Sequence, residues 1–167
     1  MVFVTVGTHE QQFDRLVRAA DELAAKWCAY EHVVIQTGYS QYEPKHCEWA
    51  RFYPYQMMHE LVERASAVVT HGGPSSFMEV RAMGKVPVVV PRVSRYGEHV
   101  NDHQVEFVRA IAQRQGGIVP VYDVADLETA IGRVKSVNST PYAGHTAEFC
   151  EEFARLVDEC LAGRKKR

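Results

Sequence analysis

The chain alternates short apolar runs rich in valine with longer stretches of helical periodicity, and this alternation is its strongest constraint on fold. The apolar runs predict buried strands at residues 2–6, 32–36, 49–53, 67–70, 87–91 and 118–121. Between most of them apolar side chains recur every three or four residues, which predicts helices at residues 13–27, 57–65, 75–83, 101–113 and about 123–137. Short links between alternating strands and helices predict an α/β fold, a doubly wound, Rossmann-like parallel sheet.

The chain length fits one domain. Its 167 residues are enough for a sizeable core, so we predict a single domain over residues 1–167. A terminal helix at about residues 146–162 carries an apolar stripe that includes Phe149, Phe153 and Leu156. That stripe either packs on the sheet of its own domain or crosses to another one.

Charge and composition exclude several functions. The net charge is −2, and no basic face is evident, so we expect no nucleic-acid partner. The one basic run, residues 164–167, is read as a solvated end, or as a weak attraction to anionic lipid.

The N-terminus and the cysteines indicate a cytoplasmic protein. The first residues lack the basic start of a signal peptide, and no apolar run approaches the roughly 18 residues of a membrane span. The four cysteines have neither a Cys-x-x-Cys pair nor zinc-type spacing, so we read them as reduced thiols.

Ligands of open parallel sheets bind beyond the carboxyl ends of the strands, so the loop after the first strand is a candidate site. Gly7 and Thr8 lead there into His9 and Glu10. The glycine lets backbone approach a ligand, and the following helix offers unpaired N–H groups to a phosphate. No Gly-x-Gly-x-x-Gly or Gly-x-x-x-x-Gly-Lys-Ser/Thr motif occurs, which disfavours dinucleotide-binding and simple ATPase functions.

The turn after the fourth strand is the second candidate. It combines bare backbone and hydroxyl groups with the positive end of a helix dipole, through the residues His71, Gly72, Gly73, Ser75 and Ser76. Such a turn can cradle a pyrophosphate, although two glycines there also suit a tight strand-to-helix turn. Glu79, about one turn into the helix, could accept two hydrogen bonds from a ribose diol.

The third candidate cluster, residues 97–104, spans the start of the fourth predicted helix. His99 and His103 are four residues apart and could share a helix face, but no third metal ligand is evident. We therefore predict no metal site, and instead hydrogen bonding to a sugar by Asp102, His103 and Gln104.

These loops, in this order, resemble the C-terminal donor-binding domain of glycosyltransferase family 28. The opening from Phe3 to Leu16 is similar to the stand-alone subunits of split transferases in bacterial exopolysaccharide and capsule assembly. Those subunits in turn resemble the soluble subunit of the dolichol-linked chitobiose-forming transferase. The resemblance implies one half of a GT-B glycosyltransferase and covers nearly the whole chain.

The resemblance also implies roles for the loop residues. Backbone near Tyr55, in the loop after the third strand, would face uracil, and Glu79 would hold the ribose. The diphosphate would lie on Gly72, Gly73 and Ser75, beneath the loop of Gly7, Thr8 and His9. The donor sugar would be held by Gln104, with Asp102 or His103. His9 and Glu10 replace a glycine-rich loop of the family's peptidoglycan enzyme, and so could act differently here.

The expected reaction is inversion at the anomeric carbon of a UDP-sugar. His9 is either a phosphate or loop hydrogen-bonding residue, or the general base, or the group that orients Glu10 as base. No Asp-x-Asp motif is present, so we expect no cofactor and no obligatory metal.

The resemblance implies partners as well. A chain of this length lacks an acceptor-binding half, so we expect a small membrane-associated subunit to supply it, and to recruit the chain to the inner face of the membrane. The implied acceptor is a polyprenyl-diphosphate-linked sugar. In isolation we expect little transfer, with homo-oligomers at high concentration.

Three alternatives stay open. The chain could be a non-catalytic enhancer subunit of such a transferase, a UDP-sugar epimerase-like enzyme, or a nucleotide-binding regulator. The epimerase normally carries both domains in one chain.

Overall fold

The computed structural model describes residues 1–114 and 116–138. Its centre is a six-stranded, wholly parallel sheet with the strand order β3-β2-β1-β4-β5-β6. The strands are β1 Val2–Thr5, β2 Val33–Gln36, β3 Glu48–Ala50, β4 Ala67–His71, β5 Val88–Val90 and β6 Val119–Pro120. The chain adds strands to one side of the sheet from β1 to β3 and to the other side from β4 to β6. The strand order therefore switches sides between β1 and β4, which is where ligands bind in doubly wound sheets.

Helices cover both faces of the sheet, as the doubly wound fold requires. They are α1 Asp14–Trp27, α2 Tyr55–Arg64, α3 Pro74–Ala82, α4 His103–Arg114 and α5 Leu127–Asn138. The core on one face joins α1 and α5 to the sheet through residues such as Leu16 and Ile131. The other face packs α2 and α3 around Phe3, and α3 and α4 around Val89. The predicted fold class is therefore confirmed.

Double coverage explains why the central strands read as unbroken apolar runs. All four residues of β1 and all five of β4 are buried, because each face of the sheet carries helices. Strand β6 is shorter than predicted, with two residues, one of which is Pro120. A proline cannot donate to the ladder, which fits its place at the sheet edge.

Several predicted boundaries were wrong. Strand β3 ends at Ala50 rather than at residue 53. Tyr55 is the first residue of α2, after Pro54, and not part of a loop. His99 and His103 share no helix face, because α4 begins at His103.

A buried carboxylate fixes the long connection between β2 and β3. Asp21 of α1 is fully buried and accepts hydrogen bonds from Lys45 N (3.0 Å), His46 N (2.8 Å) and Tyr42 Oη (2.7 Å). Burial alone would raise the pKa of Asp21, but these hydrogen bonds outweigh it and hold the pKa below its ordinary value. Asp21 is therefore charged, and its hydrogen bonds hold residues 42–46 against α1.

No helix among the described residues is long and apolar enough to cross a membrane. The helix predicted at about residues 146–162 lies outside the described residues.

Candidate functional site

A cavity of about 510 Å³ opens at the carboxyl edge of the sheet, beside the reversal between β1 and β4. It is lined by Thr5, Gly7, Thr8, His9, Gln36, Phe52, Tyr53, Tyr55, Met58, His71, Ser75, Ser76 and Glu79. The lining comes from the ends of β1, β2 and β4, the loops after β1 and β3, and helices α2 and α3. The cavity therefore lies beyond the carboxyl ends of the strands, where ligands bind in doubly wound sheets. The predicted site residues Glu10, Gly72 and Gly73 do not line it.

Hydrogen bonds at the cavity link the ends of β1 and β2 to the segment that follows β3. Gln36, at the end of β2, donates from Nε2 to Thr5 Oγ1 (3.1 Å) and accepts from Tyr53 N (3.0 Å). Thr5 Oγ1 also accepts from Gly7 N (3.1 Å). These buried contacts fix where the β1 loop starts relative to the segment before α2.

His71 ends β4 with its imidazole between two glycines. A methyl group added at Gly7 would overlap Cε1 of His71, and one added at Gly73 would overlap its Nε2. Gly7 also has a φ of 74°, a conformation that a side chain would strain. Both glycines therefore make room for this ring.

The imidazole of His71 is buried and lacks a partner at Nδ1. Burial, assisted by the charge of Arg92 and by His9 and His99, lowers the pKa of His71 to about 4. The ring is therefore neutral near pH 7. A buried polar atom without a partner, in a residue that lines a cavity, indicates a place for a ligand.

The N-terminus of α3 adjoins His71. Gly73 is its N-cap residue, with Pro74 at the first helical position, and no side chain caps the helix. Pro74 has no N–H, but the N–H groups of the next first-turn residues remain available. The positive end of the helix dipole therefore lies on the side of the cavity that Ser75 and Ser76 line. Glu79, half-buried one turn later, lines the same wall.

His9 and Glu10 are exposed on the loop between β1 and α1. His9 lines the cavity, and its ring centroid lies 5.0 Å from that of His99. The pKa of His9 is nevertheless lowered, first by partial burial of its imidazole and then by the charges of Arg92 and His99, whereas Glu10 acts to raise it. Gln11 N donates to Nδ1 of His9 (3.2 Å), so the neutral imidazole carries its proton on Nε2.

The structure does not bring Asp102, His103 and Gln104 to the cavity wall. Asp102 accepts from Ser94 N (2.7 Å), a contact that lowers its pKa, and His103 is exposed beside Glu106. Gln104 Oε1 accepts from Arg92 N (3.1 Å), and a methyl group added at Gly72 would lie 3.1 Å from Gln104 Cβ. Gln104 thus packs behind the Gly72 turn, and its contact with a sugar stays a prediction.

Sequence reasoning missed a buried network behind the cavity. Arg92, the second residue after β5, is fully buried, as is Glu98. The carboxylate of Glu98 accepts from Arg15 Nε and Nη2, both at 2.9 Å. The position of Arg92 after a strand was the available signal, but nothing in the sequence distinguishes it from a surface arginine.

The described residues contain no group of three or more histidine, cysteine or carboxylate side chains placed to hold a metal ion.

The model of the glycosyltransferase family 28 C-terminal domain matches residues 1–160. The chain belongs to this family. It is also similar to the human protein named UDP-N-acetylglucosamine transferase subunit ALG13, with 29% identity over 171 aligned positions. That match covers 97% of this chain and 14% of the human protein, so the chain spans only a small part of its relative.

Solved structures show the same fold as this family 28 domain. The glycotransferase of kitacinnamycin aligns with a TM-score of 0.55 and 21% identity, over 81% of this chain and 34% of that one. The calicheamicin glycosyltransferase CalG4 aligns with a TM-score of 0.56 and 19% identity, over 83% and 35%. At such identities the likeness establishes the fold alone.

Proposed function

We propose that this chain is the donor-binding, catalytic subunit of an inverting glycosyltransferase that uses a UDP-sugar. The observation that carries the proposal is His71, a buried and neutral imidazole with an unpartnered nitrogen, at the uncapped N-terminus of α3. A diphosphate supplies the acceptors that these donors lack. Membership of a glycosyltransferase family supports the same function.

The donor would lie along the cavity from α3 to α2. Its diphosphate would accept hydrogen bonds from the backbone N–H groups of Gly73, Ser75 and Ser76, since Pro74 has none, and from the hydroxyls of the two serines. Glu79 would accept from the two ribose hydroxyls. The uracil would lie towards Tyr55, where Phe52 and Tyr53 provide aromatic surface on the same wall.

The loop of Gly7 and Thr8 faces the diphosphate region from the side of β1. Because the neutral His9 carries its proton on Nε2, His9 donates a hydrogen bond more readily than it accepts a proton. This tautomer favours His9 as a ligand of the leaving diphosphate, and it makes the adjacent Glu10 the better candidate for the general base.

The reaction then needs one proton acceptor and a stabilised leaving group. The acceptor hydroxyl oxygen forms a bond to the anomeric carbon while its proton passes to the carboxylate of Glu10. The bond from the anomeric carbon to the diphosphate oxygen breaks, and UDP leaves with that electron pair. His9, His71 and the α3 N-terminus stabilise the charge that develops on UDP.

We propose further that a membrane-associated subunit binds the acceptor, a polyprenyl-diphosphate-linked sugar of exopolysaccharide or capsule synthesis. The human relative is named a subunit, which supports a hetero-complex. Turnover of UDP-sugars is to be assayed with and without the co-expressed partner. Robust transfer by the purified chain alone onto a simple lipid acceptor would contradict the need for a partner.

Calorimetry with UDP tests the donor site directly. Glu79→Ala should weaken UDP binding by on the order of 2–3 kcal/mol, because it removes a charged acceptor of two hydroxyl groups. Glu106→Ala is the matched control, since Glu106 is an exposed helical carboxylate beside His103 and away from the cavity. Equal UDP affinity for both variants would refute the assignment of Glu79 to the ribose.

Kinetics in the complex separate the roles of His9 and Glu10. Glu10→Gln should lower kcat by about 100-fold or more and leave UDP affinity unchanged, as expected for a general base. His9→Ala should weaken UDP binding and retain more of kcat at saturation. If His9→Ala instead lowers kcat about 100-fold with normal UDP affinity, His9 is the base. If neither variant affects transfer, the chain is an accessory subunit.

A further inference from the structure

Arg92 joins two loops at the carboxyl edge of the sheet from a fully buried position. Its Nη1 donates to the carbonyl oxygens of Gln11 (2.9 Å), Gln12 (2.9 Å) and Glu98 (3.1 Å). Its Nη2 donates to the carbonyl oxygen of Val6 (2.9 Å). Three of these four carbonyls belong to the β1–α1 loop, residues 6–13, and the fourth belongs to the β5–α4 loop, residues 91–102.

The charge of Arg92 is costly to bury, even though it lies over the Phe13 ring (4.8 Å) and is attracted by Glu98. The acceptors of Arg92 are neutral carbonyls, and among the described residues it forms no ion pair with a carboxylate. The carboxylate of Glu98 is occupied by Arg15 and by Val93 N. Burial lowers the pKa of Arg92 to about 10, so the side chain stays charged at neutral pH. A packed apolar residue would avoid the cost of burying it.

The segment that Arg92 fixes carries the proposed chemistry. Residues 6–12 include Gly7, which adjoins His71, and His9 and Glu10, which have few contacts of their own. The loop has one side-chain contact from its exposed part to its own backbone, between His9 and Gln11. Its position relative to the cavity therefore depends on contacts from outside the loop, of which Arg92 supplies three.

We propose that Arg92 is a positioning residue for the transfer reaction: its carbonyl contacts fix residues 6–12 against the β5–α4 loop and thereby place His9 at the cavity, with Glu10 next to it in the chain. This inference rests on the proposed function. It goes beyond that function because it says that a residue outside the cavity wall controls the geometry of the catalytic loop.

The charge of Arg92 has a separate consequence for His9. The titratable and charged groups facing His9 are Glu10 on its own loop, Arg92 and His99 on the β5–α4 loop, and His71 on β4. After burial, Arg92 is the largest influence that lowers the pKa of His9. Placement and charge can be separated, because lysine retains the charge but lacks the planar fork that reaches several carbonyls.

The test compares Arg92→Lys and Arg92→Gln with the control Arg18→Gln. Arg18 is an exposed arginine on α1 that stacks on Tyr42 at 4.2 Å, so Arg18→Gln changes the net charge as Arg92→Gln does but removes no hydrogen bond to either loop. Amide hydrogen exchange of residues 6–12 reports on placement, and the NMR titration of His9 reports on charge. Both measurements use the chain without donor, acceptor or partner.

We expect exchange at residues 6–12 to be at least about tenfold faster in both Arg92 variants and unchanged in the control. The pKa of His9 should rise in Arg92→Gln and stay near its wild-type value in Arg92→Lys. In the complex, kcat should fall by about 100-fold in both, as misplaced catalytic groups predict.

Unchanged exchange in Arg92→Lys would overturn the proposal, and this variant decides the question alone if Arg92→Gln does not fold. An unchanged kcat in a complex with faster exchange would overturn it too. If the wild-type complex shows no transfer at all, the proposed function fails, while exchange and titration still judge whether Arg92 places the loop.

Discussion

Two buried polar sites in this chain differ in how completely their hydrogen bonds are formed. Around Asp21, the carboxylate accepts from two backbone N–H groups and from the hydroxyl of Tyr42. Around the cavity, buried polar atoms lack partners. The described residues contain five such atoms, Gln11 Oε1, Tyr53 Oη, Thr70 Oγ1, His71 Nδ1 and Arg92 Nε.

All five belong to β4 or to segments that follow the strands, and two of the residues, Tyr53 and His71, line the cavity. An unpaired buried polar group destabilises the folded state, so such groups are retained where a ligand completes them. The Asp21 site stabilises the fold by itself, whereas we propose that a bound ligand supplies the partners missing at His71 and Tyr53. It can be tested because substitutions in the two sites should have opposite effects on stability and binding.

The largest expected effect is the loss of Asp21. Asp21→Ala leaves two backbone N–H groups and the hydroxyl of Tyr42 without their charged acceptor, so we expect a loss of about 3–5 kcal/mol in the free energy of unfolding. UDP affinity of the folded fraction should not change. Urea denaturation measures the first quantity and calorimetry the second.

Glu22→Ala is the control, because Glu22 is the exposed neighbour of Asp21 on the same helix and should change stability by less than about 0.5 kcal/mol. A loss in Asp21→Ala below 1 kcal/mol would show that the loop at residues 42–46 does not depend on the carboxylate.

The next effect is the pH dependence that His71 imposes. The folded-state pKa of His71 is about 4, against an ordinary value of 6.5. Between these values the unfolded chain binds more protons, so stability falls as the pH is lowered from 6.5 to 4, by on the order of 3 kcal/mol. Asp21, whose pKa is lowered, contributes its own loss only at more acidic pH, below about 3.9.

His71→Leu should remove this dependence. At pH 7 the variant should be at least as stable as the wild type, because an unpaired polar atom is replaced by an apolar one, while UDP binds about tenfold or more weakly. Thermal unfolding across pH 4–7 and calorimetry at pH 7 check the two halves. Lower stability together with normal UDP binding would place His71 in the same class as Asp21.

The sequence predicted the fold because that part rests on local patterns. Valine-rich strands and helical periodicity identified every strand and every α-helix of the described chain, but not the 3-10 helix at Ser94–Tyr96. The cavity followed from the strand ends, through residues such as Gly7, His71 and Glu79. The start of α2 at Tyr55 was missed because its first turn carries no apolar periodicity.

The network of Arg92 could not be predicted for a different reason. Its partners are backbone carbonyls of Val6, Gln11, Gln12 and Glu98, which have no signature in the side-chain sequence. Gln104 Oε1 likewise accepts from Arg92 N, a contact without a sequence signal, while the predicted contact of Gln104 with a sugar stays a prediction. Residues that are distant in the sequence and meet only in the folded chain leave no local sequence pattern that would predict their contact.

The smallest expected change in stability comes from Gly73→Ala, compared with Gly132→Ala. At Gly73 the backbone, with φ −73° and ψ 129°, accepts alanine without strain, so the substitution acts mainly through the overlap with Nε2 of His71. Because this ring borders the cavity, it can yield by moving towards the space that the diphosphate would occupy. We expect UDP affinity to fall about tenfold, with a stability change within about 1 kcal/mol.

Gly132 is exposed within α5, and nothing lies within 4 Å of a methyl group added there. Gly132→Ala should therefore stabilise the chain by up to about 1 kcal/mol through helix propensity alone, and leave UDP binding unchanged. Calorimetry and urea denaturation of both variants decide the matter. Normal UDP affinity in Gly73→Ala would mean that the place of the His71 ring does not matter to the ligand, and the contrast with the Asp21 site would then lose its functional meaning.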